Sequence, residues 1–321
     1  MPPLTDPVDG ATGSSPHTSA TRSYGQFVDT KQEIQEFLTS RRGRITPEQA
    51  GVRTFGSGPR RVPGLRREEV ASLAGVSIAY YTKLERGDAS GVSDTVLEAL
   101  SRALQLDGAE RAHLFDLVRA QQPVARTRRR RGATQTIRPG VQRLLDRIDA
   151  PACVRNGRMD ILATNKLGEA LYSEMLANPR RPANSARFCF LDPRATTFFV
   201  DWDESADASV AVLRAEAGRN PHDHDLTNLI GELSTQSEEF RVRWARHDVG
   251  THDTGIKRLQ HPLVGRLELT YEGMTLAADP DLVMFAFTAD AGSKSEAALN
   301  LLASWTATPD QQTAGELHDR R

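Results

Sequence analysis

No stretch of the 321-residue chain is apolar for the roughly 18 residues that crossing a bilayer demands. Its first residues, MPPLTDPVDGATGSSPHTSA, lack both the basic start and the apolar centre of a secretion signal. The chain is therefore expected in the cytoplasm without membrane contact, with residues 1–24 as a disordered lead. Only two cysteines are present, Cys153 and Cys189. That excludes a disulfide framework, and both lie in stretches that read as strand interior, where a thiol is a small buried apolar group. There is no glycine-rich phosphate loop, no nucleophile elbow and no Cys-x-x-Cys pair. Five histidines fall between His222 and His261 (His222, His224, His247, His252 and His261), but no two are four apart on a helix and no cysteine pair accompanies them. No metal site and no catalytic residue are expected.

The near-neutral balance, formally -1, conceals two halves of opposite sign. Residues 22–131 carry 20 Lys and Arg against 13 Asp and Glu, a surplus of +7; residues 132–321 carry 21 against 27, or -6. A basic module joined to an acidic one fits a nucleic-acid-binding half attached to a half with another task. Between them, ARTRRRRGATQTIRP (Ala125–Pro139) holds five arginines within six residues and no apolar period. It reads as a linker over 123–138, either tracking phosphates or simply repelling itself into an extended spacer.

The most informative stretch, LRREEVASLAGVSIAYYTKLERG, is written for two short helices meeting at a tight turn. Val70, Leu73 and Ala74 share one face of the first helix; Tyr81, Leu84 and Val76 cover the second. Gly75 supplies the left-handed backbone that ends a helix, Ser77 can cap the next, and Ala71 is small where two crossing helices need close backbones. This is the spacing of a helix-turn-helix that reads DNA. The N-terminal half of its second helix would enter the major groove with Ile78, Ala79, Thr82 and Lys83 toward the bases. Lys83 can reach guanine acceptors, whereas Ile78 and Ala79 offer apolar contact. Arg67, Ser77, Tyr80 and Arg86 are placed for phosphates, and Arg60 and Arg61, in the long Gly-Ser-Gly-Pro loop between 44 and 63, are candidates for the same role. Three further helices complete a five-helix domain over 25–122. The first opens with a capping box of Thr30 and Glu33 and carries Ile34, Phe37 and Leu38. A fourth starts at Ser93, and a fifth at the box Asp107/Glu110.

Past the linker the pattern is α+β: a helix over 141–148, strands over 152–156 and 159–163 around Asn156-Gly157, helices near 166–176, 206–217 and 237–247, strands over 267–271, 274–277 and 282–287, and a last helix over 295–305. One sheet with helices enclosing a pocket would make a PAS-like fold over 139–306, with 307–321 as a flexible tail.

In PGLRREEVASLAGVSIAYYTKLERG (63–87) and VLEALSRALQLDGAERAHLFDL (96–117) the chain resembles the XRE/Cro-type regulators, and more narrowly the MmyB-like family. DPRATTFFVDWDE (192–204), IGELSTQSEEFR (230–241) and WARHDV (244–249) resemble that family's C-terminal domain, so the likeness runs from about Gly25 to Ala303. It implies an all-α repressor-like domain followed by a PAS-like domain holding a small hydrophobic, fatty-acyl-like ligand. Relatives have a Trp-Asn pair where Thr164-Asn165 stands, so one aromatic wall differs here. Candidate ligand contacts are Asn165, Arg214, Arg243, Trp244 and His247; the two arginines could hold a carboxylate. Helical arginines in solvent, a core tryptophan and a helix-ending histidine explain the same letters. The expected protein is a homodimeric regulator on a double-stranded DNA operator. Its alternatives are a ligand-free regulator whose second half only dimerises or binds a protein, and an enzyme fused to a DNA-binding domain.

Overall fold

The structure, a computed structural model, describes residues 29–52, 63–122 and 136–316, with side chains through 305. Arg60, Arg61, the leading segment and most of the arginine-rich run lie outside the described residues.

Five helices form the N-terminal unit: α1 (Thr30–Arg44), α2 (Arg67–Leu73), α3 (Ile78–Glu85), α4 (Asp94–Ala103) and α5 (Gly108–Gln121). Their starts follow local chemistry. Ser77 accepts from the Tyr80 amide, Ser93 from Val96, and Asp107 and Glu110 make a reciprocal box. Gly75 sits at φ +67 between α2 and α3, as its place in the sequence requires. The α1 box does not form. Asp29 caps that helix through the Lys31 amide, and the Glu33 carboxylate turns instead to Arg214, 181 positions away. Ile34, Phe37, Leu38, Val70, Ala71, Tyr81, Leu84, Leu97, Leu100 and Leu114 close one core. Leu73, expected in it, is 42% exposed, because the seven-residue α2 buries only the side bearing Val70 and Ala71.

The C-terminal unit is built on one curled antiparallel sheet of β1 (Ala152–Asn156), β2 (Asp160–Thr164), β3 (Ala183–Asn184), β4 (Thr254–His261), β5 (Gly265–Leu276) and β6 (Asp279–Thr288), in the order β3-β2-β1-β6-β5-β4. Period-two alternation sorts its faces. Val154, Leu282 and Met284 pack under α6 (Pro139–Leu145), whereas Cys153, Leu259, Leu267, Leu269, Phe285 and Phe287 face the helices on the other side. Those are α7 (Lys166–Leu171), α8 (Ser173–Leu176), α9 (Ser185–Leu191), α10 (Ala195–Phe198) and α11 (Trp202–Arg219), with α12 (His224–Gln236), α13 (Glu238–Trp244) and α14 (Lys294–Glu316) completing the layer. The α+β, PAS-like expectation holds, with differences in detail. Cys189 is on helix α9, not in a strand; it is buried all the same. The strands expected at 267–271 and 274–277 are one, β5, because the β6 register runs unbroken from Thr270 to Thr275 opposite it. The last helix continues beyond position 306 to Glu316.

Candidate functional site

On α3 the side away from the core presents Ile78, 53% exposed, with Ala79 and Lys83 also exposed and Thr82 half-buried. An isoleucine held in water at the first turn of a helix is not explained by packing; on this face it is available to a partner. Lys83 lies 3.4 Å from Asp88, an exposed pair that water and salt weaken readily. Arg86 is exposed, Tyr80 is half-buried against the core, and the Ser77 hydroxyl is occupied as the cap. Arg67 donates to the buried Glu85 carboxylate, which also takes the Arg42 Nε at 2.6 Å. Arg67 is thus tied to the fold at one end while half its side chain stays open. α2 and α3 are locked together by that shared carboxylate.

A narrow cavity opens between the sheet and the helices, with about 50 Å³ of space open to the centre of a water molecule. Phe199, Phe285, Phe287, Met159, Met175 and Ile161 give its wall an apolar character, with Ser205, Ala208 and Ser209 along one face of α11. Set into this apolar lining are two cations, Arg155 from β1 and Lys257 from β4. Among the described residues neither side chain has a hydrogen bond or an ion pair. What they have are rings: the Arg155 guanidinium lies 4.4 Å from the Phe285 centroid, and the Lys257 ammonium 5.5 Å from Phe199 and 5.9 Å from Tyr271. The sheet register sets this up, since Cys153 pairs with Phe285 and the next inward residue of β1 is Arg155. Burial lowers Lys257 to about 8, and the Arg155 charge adds to the effect. Arg155 is itself pulled below the usual guanidinium by burial. His252, stacked on Tyr271 at 4.3 Å between centroids and bonded to its hydroxyl, is pushed down to about 2 by burial and then by Lys257 and Arg155. It is a neutral ring here. Burial drives the Cys153 thiol up to about 11 and Cys189 up to about 12, so neither is a thiolate.

None of the five residues expected to touch a ligand lines this cavity. Asn165 spends all of its polar capacity on structure: its Oδ1 accepts from Ala152 and Gly168, capping α7, and its Nδ2 donates to the Ile148 and Ala150 carbonyls. Arg243 lies over the Trp202 ring and is paired with Asp203, Asp207 and Glu239. Trp244 stacks on Phe240. Arg214, 1% exposed, lies 3.9 Å over the Trp244 ring, donates to the Trp244 carbonyl and pairs with Glu33 of α1 at 2.7 Å. His247 ends the turn after α13 at φ +56, with its Nε2 3.5 Å from Glu36. Burial and Arg214 lower it to about 4.

These last residues belong to a junction between the two units. Arg41 and Arg44, at the end of α1, donate to the His247 and Arg246 carbonyls, and Arg44 also pairs with Asp248 at 2.5 Å. Cations thus meet the negative end of α13. Val249 completes the N-terminal core, and Gly218 of α11 leaves the room that His113 of α5 fills. Glu33, Glu36 and His247 bring ligand atoms within 4.8 Å of one another, the one such group among the described residues. Arg214 and Arg41 bear on it, so the field there is unfavourable to a cation.

Sequence reasoning missed Arg155 and Lys257. Cations on the inner face of two strands separated by a hundred residues converge only through sheet order, which no local spacing reveals.

Residues 137–302 match the MmyB-like transcription regulator ligand binding domain, and residues 36–114 match a helix-turn-helix domain. Among curated proteins none matches the chain. The first match alone covers more than half of the sequence, and it coincides with the sheet, the helices and the cavity just described; the chain therefore belongs to the MmyB-like family of DNA-binding transcription regulators, an N-terminal helix-turn-helix unit joined to a ligand-binding domain.

Proposed function

We propose that this regulator responds to an anionic amphiphile, a fatty acid or a molecule of like chemistry, with its acidic head against Arg155 and Lys257 and its chain among Phe199, Phe285, Phe287, Met159 and Met175. The observation that carries the reading is the pair of unpartnered cations in an apolar wall. A buried charge without a counter-ion is costly, and an entering carboxylate removes that cost while burying its own tail. Ligand then changes DNA affinity by its differential affinity for two arrangements of the helix-turn-helix units.

On the DNA, Ile78, Ala79, Thr82 and Lys83 take the base edges, while Arg67, Ser77, Tyr80, Arg86, Arg60 and Arg61 serve the phosphates. The protein acts as a homodimer on paired half-sites, in the cytoplasm. The exposed Leu301 and Trp305, one turn apart on α14, favour that helix as the contact between copies. No helix among the described residues is long and apolar enough to cross a membrane.

Calorimetric titration with decanoate and decanol tests the effector reading. A charge-assisted bond contributes about 1.5–3 kcal/mol, so decanoate should bind ten- to a hundredfold more tightly than decanol. Arg155→Met should erase most of that preference. Equal affinities for acid and alcohol would refute the anionic head.

A further inference from the structure

We propose that Lys257 is a carbonyl-capturing lysine: its amine condenses with an aldehyde-bearing amphiphile in the cavity, so that the domain holds such a molecule covalently. This deepens the effector reading and rests on the same cavity.

The choice of residue is the first argument. The chain has 36 arginines and only five lysines: Lys31, Lys83, Lys166, Lys257 and Lys294. Four of the five are exposed; Lys257 alone is half-buried, in the lining of the cavity. Arginine would serve a simple anion site equally well or better, since its fork grips a carboxylate. What lysine offers that arginine cannot is a lone pair, available once the proton is gone.

The surroundings favour that loss. Lys257 lines the cavity beside Arg155, with the Phe199 and Tyr271 rings at 5.5 and 5.9 Å and no ion-pair partner among the described residues. The groups that bear on it are few. Arg155 on β1 opposes its charge, while Glu204 in the first turn of α11 and Cys189 on α9 favour it. Cys189 is held protonated, and His252, before β4, is neutral. A second cation and a desolvating wall are the two devices that make a lysine nucleophilic at neutral pH. With its ammonium lowered to about 8, roughly a quarter of Lys257 is neutral at pH 7.5, about two hundred times the fraction of an ordinary lysine.

The step balances without an oxidant. The neutral Nζ lone pair attacks the carbonyl carbon and the π pair moves to oxygen. Proton transfer from nitrogen to oxygen gives a carbinolamine, and loss of water leaves the imine. Amine and aldehyde become imine and water; the bond is reversible, as an effector requires.

The test is reductive trapping. Full-length protein is incubated with decanal and cyanoborohydride between pH 6.5 and 9.5, with and without decanoate, and decyl groups are located by peptide mapping. The expected result is decylation of Lys257 at least tenfold faster than of the four exposed lysines, saturating with decanal and half-maximal near pH 8. In Arg155→Met the half-maximal pH should move upward. In Lys257→Arg no cavity label should appear, with a melting curve confirming that this variant folds.

If decanoate slows the trapping, both readings stand. If Lys257 is trapped first but decanoate has no effect, the covalent capture stands and the anionic-head reading fails. If decanoate binds but Lys257 reacts no faster than the surface lysines, the capture proposal is overturned and the anion reading survives. If neither occurs, both fall.

Discussion

Removing either member of the Glu33–Arg214 pair should destabilise the protein, but not equally. The pair joins α1 to α11 at 2.7 Å, with Arg214 almost wholly buried and Glu33 largely so. An arginine cannot shed its proton, so Glu33→Gln leaves a fixed positive charge in the interior. Breaking a buried pair in this way costs about 3–5 kcal/mol. Glu36 and Asp248 still face Arg214, which puts the expectation at about 3. In Arg214→Met the survivor is a carboxylate already held above its ordinary range by burial, with Arg214 the main influence drawing it back. Without Arg214 it rises further and takes up a proton, so the expected cost is about 1–2 kcal/mol, chiefly the lost hydrogen bonds.

The sign of the pH dependence separates the two variants. A carboxyl whose folded pKa exceeds its unfolded value binds protons more tightly in the folded state, so stability rises as pH falls through the folded pKa. Measured against wild type at the same pH, Arg214→Met should therefore regain stability as the pH is lowered, here from 7.5 to 5.5, and Glu33→Gln should not. The double variant Glu33→Leu/Arg214→Met should lie close to wild type, because well-packed apolar replacements of a buried pair are often neutral. Urea unfolding of all four proteins at both pH values is the assay. Equal costs for the single variants, or no recovery of Arg214→Met at pH 5.5, would refute the reasoning.

Gly87 stands at φ +84, and a Cβ there would lie 2.1 Å from the Lys31 carbonyl oxygen, so Gly87→Ala should cost more than about 3 kcal/mol and be seen as a lowered melting temperature with loss of DNA binding. His113 is buried against Phe37 with neither ring nitrogen bonded, and burial lowers it to about 3. Its folded pKa is below the unfolded value, so it contributes an acid loss that begins below pH 6.5 and reaches about 2 kcal/mol at pH 5; His113→Leu should flatten the stability curve between pH 7 and 5. Lys83→Ala should relax base choice at one operator position by about 1–3 kcal/mol while leaving the melting temperature unchanged, read by binding to single-base operator variants.

What was legible in the sequence is what local chemistry decides. Gly75, Ser77 and the Asp107/Glu110 box need only their immediate neighbours, and they stand as expected. Strand β1 was readable because Ala152, Val154 and Asn156 turn one way and Cys153 the other beside a tight turn. β4 was not, because the inward positions of TGIKRLQH are Gly255, Lys257, Leu259 and His261, and a single apolar side chain among four leaves no alternation to mark a strand. α12 carries a signal that went unused: Leu226, Leu229 and Leu233 recur at helical spacing behind the cap Asp223. Glu33 deceived for a different reason. Its sequence position suits a capping box, but a buried guanidinium from another unit outweighs a solvent-exposed backbone amide as a partner for a carboxylate. For the ligand contacts the arginines read as pocket residues do occupy buried ground, yet that ground is the junction between units, and only the folded arrangement distinguishes the two.

The junction and the cavity meet on one element. Ser205, Ala208 and Ser209 of α11 line the cavity, and about 7.5 Å further along the same axis Arg214 grips Glu33, followed by Gly218 against His113 and Arg219 toward Asp116. A helix is stiff over that length, and close-packed surroundings transmit a displacement rather than absorb it. A ligand that pushes on the Ser205 face therefore displaces α11 against α5 and, through Arg214 and Glu33, against α1, and α1 packs directly on α3. No separate relay is needed, because the wall of the cavity is also the seat of the DNA-binding unit. The coupling this allows is bounded by the pair itself: a ligand can shift the placement of α3 only by as much free energy as it gains from the alternative position of α11.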